Sequence, residues 1–438
     1  MRWSPFVVAI ALSAAPLPAF AQSDALTLDD AITRALAESH RVAELRARGK
    51  AAEAAVQGRE ASSLPLVSLQ GGYTRTNHVD PYVIPQPGGI RNVIYPDIPD
   101  NYRSRLDVSW PLYTGGRNES LARAARAEAS AVSNDLVSVE ADLRLEVTRA
   151  YWNAVTAAQT VSVVQQSLER LNAHIKDLRA RLDAGLIPPN DVLSAEAQRS
   201  RQEVQVIEAR NGSELALADL RRLIGADPGV PFQLTTPLES ASAEPSADLG
   251  AQIAAAKNAR PERAALVQRI DAAVSRVEAA GSTRKPAVAV NGGVDYAKPN
   301  PRIFPRVDEW NESWDVSVNA TWLLWDAGRR SAEVAEASAN QSALQARLAD
   351  FDSLVELEVR QRRLDLEANR AAVRAAGDGV RSATEARRVV GERFAAGVAT
   401  STDVLEAQVA LLQADLDQTR AMAGVRLAEA RLARALGQ

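Results

Sequence analysis

The sequence predicts a mostly α-helical protein that also carries a membrane β-barrel, arranged as two tandem repeats. Each repeat is predicted to consist of a β-hairpin followed by long coiled-coil helices. Three observations predict this fold. Short motifs recur in the same order in both halves, alternating strands are flanked by aromatic residues, and each half contains a very long apolar helical seam. This pattern favours a structural component of an assembly over an enzyme.

Three motifs of the first half return in the second half. They are a proline followed by an alternating segment that ends in Gly-Gly, a tryptophan-led segment that ends in Gly-Arg, and an Ala-Gly turn followed by Asp-Val-Leu. Residues 65–72 return as 286–293, 110–117 as 322–329, and 184–193 as 396–405. A doubled order of three motifs indicates a duplicated unit, because chance matches would not keep their order.

The first 21 residues have the pattern of a secretory signal peptide. Arg2 supplies the positive start, residues 6–15 are mostly apolar, and Ala-Phe-Ala at 19–21 is a small-residue cleavage site that leaves Gln22 as the mature start. A buried N-terminal helix is the alternative interpretation. We therefore expect a signal peptide at 1–21, a first repeat at 22–225, a linker at 226–247 and a second repeat at 248–438.

Composition excludes several classes of site. The chain has no cysteine, so disulfides, thiolate metal sites and a cysteine-linked lipid anchor are excluded. A formal net charge of −4 gives no support for nucleic-acid binding. His40, His78 and His174 are far apart and share no ligand spacing, so each is expected to be a solvated surface residue. No catalytic constellation or nucleotide motif is present in the sequence, so no enzyme activity, cofactor or metal is expected.

The first elements of each repeat follow from capping and alternation. Thr27 and Asp30 predict a capping box, with a helix to about Ser63. Alternating apolar residues predict strands at about 66–75 and 104–113, separated by a long loop over 76–101, and strands at about 287–296 and 313–325 in the second repeat.

Aromatic residues sharpen the interpretation of these strands. An aromatic girdle is expected at the ends of the strands, made by Trp110, Tyr113, Trp322 and Trp325. Strands of about 9–11 residues also suit the height of a membrane barrel. Alternation alone fits a soluble β-sandwich equally well, so that fold remains the alternative at this point.

The long helices follow the strands. An apolar residue recurs at alternating steps of four and three from Val132 to Leu182, which predicts a sustained coiled-coil seam. The second half repeats it, with polar interruptions at Arg362, Asn369 and Arg387. Gly185 and Gly397 then act as helix stops, and the chain is expected to turn back into helices over 191–224 and 403–436. The proline-rich linker carries only a weak strand signal, at 230–234.

Four strands cannot stand alone in a membrane. Open sheet edges are not viable in hydrocarbon, and membrane barrels start at about eight strands. The chain must therefore combine with copies of itself, and either two copies with eight strands or three copies with twelve would satisfy this requirement.

The doubled Gly-Gly strands, the Gly-Arg junctions and the Ala-Gly turns together resemble the TolC family of outer-membrane efflux proteins, over essentially the whole mature chain. The resemblance implies a homotrimer with a twelve-stranded barrel in the outer membrane and a periplasmic helical tunnel. It also implies a periplasmic adaptor and an inner-membrane pump, of RND or ABC type, as partners. The substrate is not specified. A periplasmic adaptor and a secreted coiled-coil scaffold without a pore are the alternatives.

The resemblance also assigns roles at the two helix turns. It implies a charged ring at the tunnel mouth from Asp403 and Glu406, although these two residues also fit a capping box that needs no pore. It implies a gate frame that involves Asp191 and Phe394, but Ala399 stands at the family's basic gate position. Arg181 and Arg393 are the candidate substitutes. The adaptor is expected to dock on the two helix turns, through Gly185, Leu186, Gly397 and Val398.

Overall fold

The computed structural model describes residues 24–89, 91–227, 232–238 and 248–438. The predicted signal peptide and its cleavage site lie outside these residues. The described elements are, in chain order: β1 (Asp24–Leu26), α1 (Leu28–Glu38), α2 (His40–Ala61), β2 (Leu66–Arg75), β3 (Tyr82–Pro85), β4 (Arg91–Tyr95), β5 (Asp100–Tyr113), α3 (Arg117–Asp183), α4 (Pro189–Ile224), β6 (Phe232–Leu234), α5 (Leu249–Ala259), α6 (Pro261–Ser282), β7 (Ala287–Lys298), β8 (Asn311–Thr321), α7 (Arg329–Ala395) and α8 (Ser401–Ala435).

The described residues form two compact units. One comprises 24–39, 143–227, 232–238 and 368–428, and the other comprises 40–89, 91–142, 248–367 and 429–438. The two longest helices, α3 and α7, each have 67 residues and run through both units. At 1.5 Å per residue each helix is about 100 Å long. None of the helices within the described ranges is both long and apolar enough to cross a membrane.

The four long strands form one antiparallel sheet in the order β2-β5-β7-β8. The register aligns apolar rows and polar rows alternately. One apolar row pairs Leu69 with Leu106, then Val294, then Trp314, and the adjacent polar row pairs Gln70 with Arg105, then Asp295, then Ser313. Because successive side chains point to opposite faces, one face of this sheet is apolar and the other is polar.

The apolar face of this sheet is uncovered in the single chain. Leu69 is 72% exposed and Trp314 is 71% exposed. A β-sandwich would bury such residues in its core, whereas a lipid-facing surface leaves them accessible to hydrocarbon. Within the described chain, β2 and β8 each pair on one side only. The sheet therefore has the two-faced character expected of a membrane barrel, and it is open at both edges.

Ion pairs join three strands on the polar face. The Arg105 guanidinium contacts Asp295 on β7, Asp315 on β8 at 2.9 Å and Asp107 on its own strand at 2.6 Å. Arg103 Nε donates to the same Asp295 at 2.5 Å. Asp295 is only 5% exposed. A buried carboxylate is tolerated when it is paired and hydrogen-bonded, and here two arginines satisfy it.

The tryptophans at the strand ends have equivalent contacts in the two repeats. Trp110 Nε1 donates to the Ser63 carbonyl at 3.3 Å, and Trp322 Nε1 donates to the Arg284 carbonyl at 3.1 Å. Both carbonyls lie just after a helix that precedes a strand of the sheet. The duplication seen in the sequence is thus repeated at the level of single hydrogen bonds.

The last strand is shorter than predicted. The expected strand over 313–325 ends at Thr321. Thr321 pairs with Ala287, the first residue of β7, so the partner strand ends there. Beyond it, the carbonyls of Leu323 and Leu324 accept hydrogen bonds from the Arg330 side chain, at 2.8 Å and 3.3 Å. Arg330 is itself held by Asp326 at the start of α7.

Two further predictions need correction, and a third is borne out over its described residues. The predicted single helix to Ser63 is divided, because Ser39 has an extended backbone between α1 and α2. The predicted loop over 76–101 contains the hairpin β3–β4, which turns near Gly88 and Gly89 with positive φ, and β5 begins at Asp100. The weak linker strand is present as β6, which pairs with β1 in parallel, while residues 230 and 231 lie outside the described part.

Candidate functional site

The two helix turns end α3 and α7 in the same way. Gly185 and Gly397 have left-handed backbones, with φ of 69° and 76°. The Gly185 N–H donates to Leu182 at 2.8 Å and the Leu186 N–H donates to Arg181 at 2.9 Å, and the second turn repeats both bonds. This is the Schellman arrangement, which satisfies the last helical carbonyls. Both predicted helix stops are confirmed.

Each turn also presents one apolar side chain to solvent. Leu186 is 73% exposed and Val398 is 62% exposed. They occupy equivalent positions, one residue after each glycine. Because the Schellman bonds fix the backbone at these positions, the two side chains are held on ordered turns.

The second turn leads into a helix with a complete capping box. The Thr400 hydroxyl accepts from the Asp403 N–H at 3.2 Å, and Asp403 Oδ2 accepts from the Thr400 N–H at 2.8 Å. The predicted box of Asp403 with Glu406 is therefore wrong by one turn. Thr400 is the cap, because α8 begins at Ser401 and places Asp403 in the third helical position.

This box leaves two carboxylates on the outer surface of α8. Asp403 and Glu406 are exposed and three residues apart, so they lie on the same helical face. The Thr400 backbone N–H and hydroxyl both hold the pKa of Asp403 below its usual value. Asp403 therefore caps the helix and remains a charged surface group at the same time.

The first turn leads into a less strongly capped helix. Pro188 occupies the cap position of α4 and makes no side-chain cap bond. Asp191, at the position equivalent to Asp403, accepts a hydrogen bond from the neighbouring Asn190 at 3.1 Å. Asp191 therefore does not form a side-chain cap for α4.

Phe394 is held by two residues of α3. The Arg181 guanidinium carbon lies 4.5 Å from the centre of the Phe394 ring, and Arg181 Nη1 donates to the Phe394 carbonyl at 3.4 Å. Arg181 Nε is paired with Asp177 at 3.0 Å. On another side, the His174 ring lies edge-on to Phe394, with 5.4 Å between ring centres. Of the two candidate arginines, Arg181 reaches Phe394, while Arg393 donates to the carbonyl of Val398.

His174 was expected on the surface, and this expectation is wrong. It is 9% exposed, and its Nε2 lies 3.2 Å from the Ser401 hydroxyl at the start of α8. Burial lowers its pKa below the ordinary value of 6.5; Arg181 lowers it further, and Asp177 opposes the shift. His40 and His78 are exposed, as predicted.

An apolar cluster from four helices surrounds Phe394. Its buried members are Leu171, Ile175 and Leu178 of α3, Val192 and Ala195 of α4, Phe394 of α7 and Val404 of α8. The cluster makes the two hairpins pack as one body near their turns. His174 lies beside Ile175 and one turn before Leu178, so its place next to the predicted seam was the signal that could have revealed its burial.

The described residues contain no group of three or more His, Asp or Glu side chains that could hold a metal ion. The site is instead made of two ordered turns with exposed apolar side chains, a pair of exposed carboxylates, and a buried aromatic contact between hairpins. A two-faced strand sheet with two very long helices and such turns defines an outer-membrane channel protein.

Comparison with known proteins agrees with this class. The family model described as "Outer membrane efflux protein" matches residues 31–226 and 253–438. Protein CyaE of Bordetella pertussis is 27% identical, covering 88% of this chain and 78% of the relative. Outer membrane protein TolC of Vibrio cholerae is 24% identical, covering 96% and 95%. Alkaline protease secretion protein AprF of Pseudomonas aeruginosa is 25% identical, covering 76% and 69%.

Solved structures share the fold. The outer-membrane protein VceC of Vibrio cholerae superposes with a TM-score of 0.77 at 20% identity, covering 94% of this chain and 96% of that one. The open-state MtrE channel of Neisseria gonorrhoeae gives 0.78 at 20% identity, covering 94% and 88%. The chain belongs to the outer membrane efflux protein family.

This membership confirms the family resemblance and places the chain in the outer membrane, with its helical tunnel in the periplasm. It also decides between the earlier alternatives, because members of this family are channels of efflux and secretion systems. A periplasmic adaptor and a pore-free scaffold are excluded by the family.

Proposed function

We propose that three copies of the chain close a twelve-stranded barrel and form the exit duct of a tripartite efflux pump or a type I secretion system. The observation that carries this proposal is the open sheet. Its four strands present an apolar face and a polar face, and both edges lack a partner within the described chain. Hydrocarbon does not tolerate unpaired strand edges, so the edges of neighbouring copies must pair.

Twelve strands are favoured over eight by the requirement for a channel. An eight-stranded barrel fills its interior with side chains, whereas a wider barrel can enclose water. The polar face, with Ser109, Asn291 and Ser317 in one row, then lines the lumen, and the apolar face contacts lipid. The exposed Trp110, Tyr113, Trp322 and Trp325 form the aromatic girdle near the strand ends.

The duct conducts passively in this proposal. A periplasmic adaptor and an inner-membrane pump, of RND or ABC type, supply the substrate and the energy. The adaptor docks on the two glycine turns, where Gly185 and Gly397 hold Leu186 and Val398 outward. Equivalent exposed residues on both turns suit a partner that binds six similar sites around a threefold axis.

The periplasmic mouth carries the charged ring. Asp403 and Glu406 from three copies give six carboxylates, and a ring of carboxylates favours the passage of cations. Their shared face on α8 supports the proposal, since the helix cap is formed by Thr400 and Asp403 and does not include Glu406. Asp191 and Phe394 belong to the frame that positions this ring.

Single-channel recording tests the ring. The purified protein in a planar bilayer is expected to be cation-selective, and Asp403→Asn combined with Glu406→Gln is expected to lose most of that selectivity. Glu208→Gln, at an exposed position along α4 away from both turns, is the matched control and is expected to keep it. An unchanged selectivity in the double variant would disprove the charged ring, and an absence of current in the wild type would disprove the channel.

A further inference from the structure

His174 is a buried titratable group that the channel proposal does not use. It lies seven residues before Arg181 on α3, which is two helical turns, so both residues occupy the same face of that helix. Phe394 contacts both of them: its ring lies below the Arg181 guanidinium at 4.5 Å and against the edge of His174 at 5.4 Å between ring centres. Phe394 of α7 is thus held between the Arg181 guanidinium and the His174 imidazole of α3.

The charged groups that act on His174 are Asp177 and Arg181, both on α3. The other helices of the cluster present uncharged groups: the Phe394 ring from α7, the Ser401 hydroxyl from α8, and Val192 and Ala195 from α4. Asp177 is already paired with Arg181 at 3.0 Å, so its charge is shared. Among the described groups that act on His174, Asp177 is the one carboxylate, so a positive charge on His174 would have to share it with Arg181.

We propose that protonation of His174 in mild acid releases Phe394 from α3 and loosens the packing between the two hairpins at their turns. An imidazolium placed here would lie in an apolar cluster of four helices and would share the Phe394 ring with a second cation. Both effects favour a state in which His174 reaches water. That this packing acts as a channel gate rests on the proposed function.

The direction of the pH dependence follows from burial. Burial lowers the pKa of His174 below 6.5, so the packed state binds fewer protons than a loosened state does. The packing is therefore complete above about pH 6.5 and weakens as the pH falls below that value. At about pH 5.5 the loosened population is expected to rise by up to about tenfold, since each pH unit below the unpacked pKa contributes at most a factor of ten.

Asp403 of the proposed ring responds in the opposite direction. Protonating Asp403 would reduce the repulsion between copies and favour a closed mouth. Because hydrogen bonds from Thr400 lower the pKa of Asp403, its own titration lies far below that of a histidine. A loosening near pH 6 is thus distinguishable from the protonation of Asp403.

Hydrogen exchange on the purified full chain in detergent tests the proposal. Exchange over 170–182 and 390–403 is compared at about pH 7.5 and about pH 5.5, after correction for the intrinsic chemical rate. The wild type is expected to lose protection several-fold in acid, and His174→Gln is expected to change less than about twofold. His40→Gln and His78→Gln, the two exposed histidines, are matched controls that should behave as the wild type. Peptides over 351–359, in the other compact unit, report whether each variant is folded.

Two results would overturn the proposal: an acid loss that persists in His174→Gln, or a wild type whose turns stay equally protected at both pH values. Should His174→Gln be unprotected at both values, His174→Phe, which keeps the apolar packing, replaces it in the same comparison. Because exchange is measured without transport, failure here leaves the channel proposal intact, and failure of the channel recordings leaves this result interpretable.

Discussion

Tyr151 joins the N-terminal strand to the linker strand, and removing its hydroxyl should loosen both. Tyr151 is fully buried on α3. Its hydroxyl donates to the Leu26 carbonyl of β1 at 2.9 Å and accepts from the Thr236 N–H, two residues after β6, at 3.1 Å. These two bonds hold the short parallel pair of strands β1 and β6 against the long helix.

Tyr151→Phe keeps the ring packing and removes both bonds. The Leu26 carbonyl still accepts from Thr235 N–H at 3.2 Å, but the Thr236 N–H loses its partner. An unsatisfied group of this kind costs about 1–3 kcal/mol. Since 1.4 kcal/mol is about a factor of ten, exchange protection in this pair of strands should fall by roughly 5–150-fold.

Hydrogen exchange of peptides over 24–28 and 232–236 measures this loss directly. Tyr113→Phe is the matched control, because Tyr113 is 45% exposed, and it should leave these peptides unchanged. A change of less than about twofold in Tyr151→Phe would refute the argument that its hydroxyl holds the strands. Equal losses in both variants would point to a general effect of removing a tyrosine hydroxyl.

Two further substitutions test helix ends. Gly397→Ala places a side chain on a backbone with φ of 76°, and the cost of about 1–2 kcal/mol should lower the exchange protection of the second turn by roughly tenfold. Gly377→Ala, in the middle of α7, is the control: a Cβ there would lie 3.9 Å from the Gln418 side chain, so this change should be neutral or slightly stabilising. Arg260 is 6% exposed, donates to the last helical carbonyl of α8, Ala435, at 2.8 Å and pairs with Glu358 at 2.7 Å. Arg260→Gln should therefore lower the thermal midpoint and expose the end of α8 to exchange, at a cost of about 1.5–3 kcal/mol, and an unchanged midpoint would contradict this capping role.

Local rules were sufficient for much of the fold. The capping box of Thr27 with Asp30, the glycine stops at 185 and 397, and the alternation that defines the sheet are all set within a few residues of sequence. The duplication helped as well, because a motif found in one half could be tested against the other. Even the hydrogen bond from a strand-end tryptophan to a carbonyl after the preceding helix occurs in both repeats.

The remainder depended on packing between distant segments. The partners of His174 are Phe394 and Ser401, more than 200 residues away. Its position beside the seam could indicate burial, but nothing in its own helix specifies these partners. The early end of β8 depends on its partner strand, because β7 begins at Ala287 opposite Thr321, and the carbonyls beyond are bound by Arg330 instead. The cap of α8 was misplaced because Thr400 and Asp403 both suit a helix start, and only the backbone shows which one precedes the first turn.

The proposed barrel requires the strand edges of neighbouring copies to pair, and cysteine cross-linking detects such pairing. The chain has no cysteine, so introduced pairs react without background. One cysteine replaces Val67 or Leu69 on β2, and the other replaces Val316 or Val318 on β8, which gives four combinations on the exposed apolar face. Mild oxidation of the membrane-embedded protein should give, in at least one combination, covalent products that stop at three copies, while single-cysteine variants give none beyond two. Products that stop at two copies, continue past three, or fail to form in all four combinations would contradict a barrel closed by three chains.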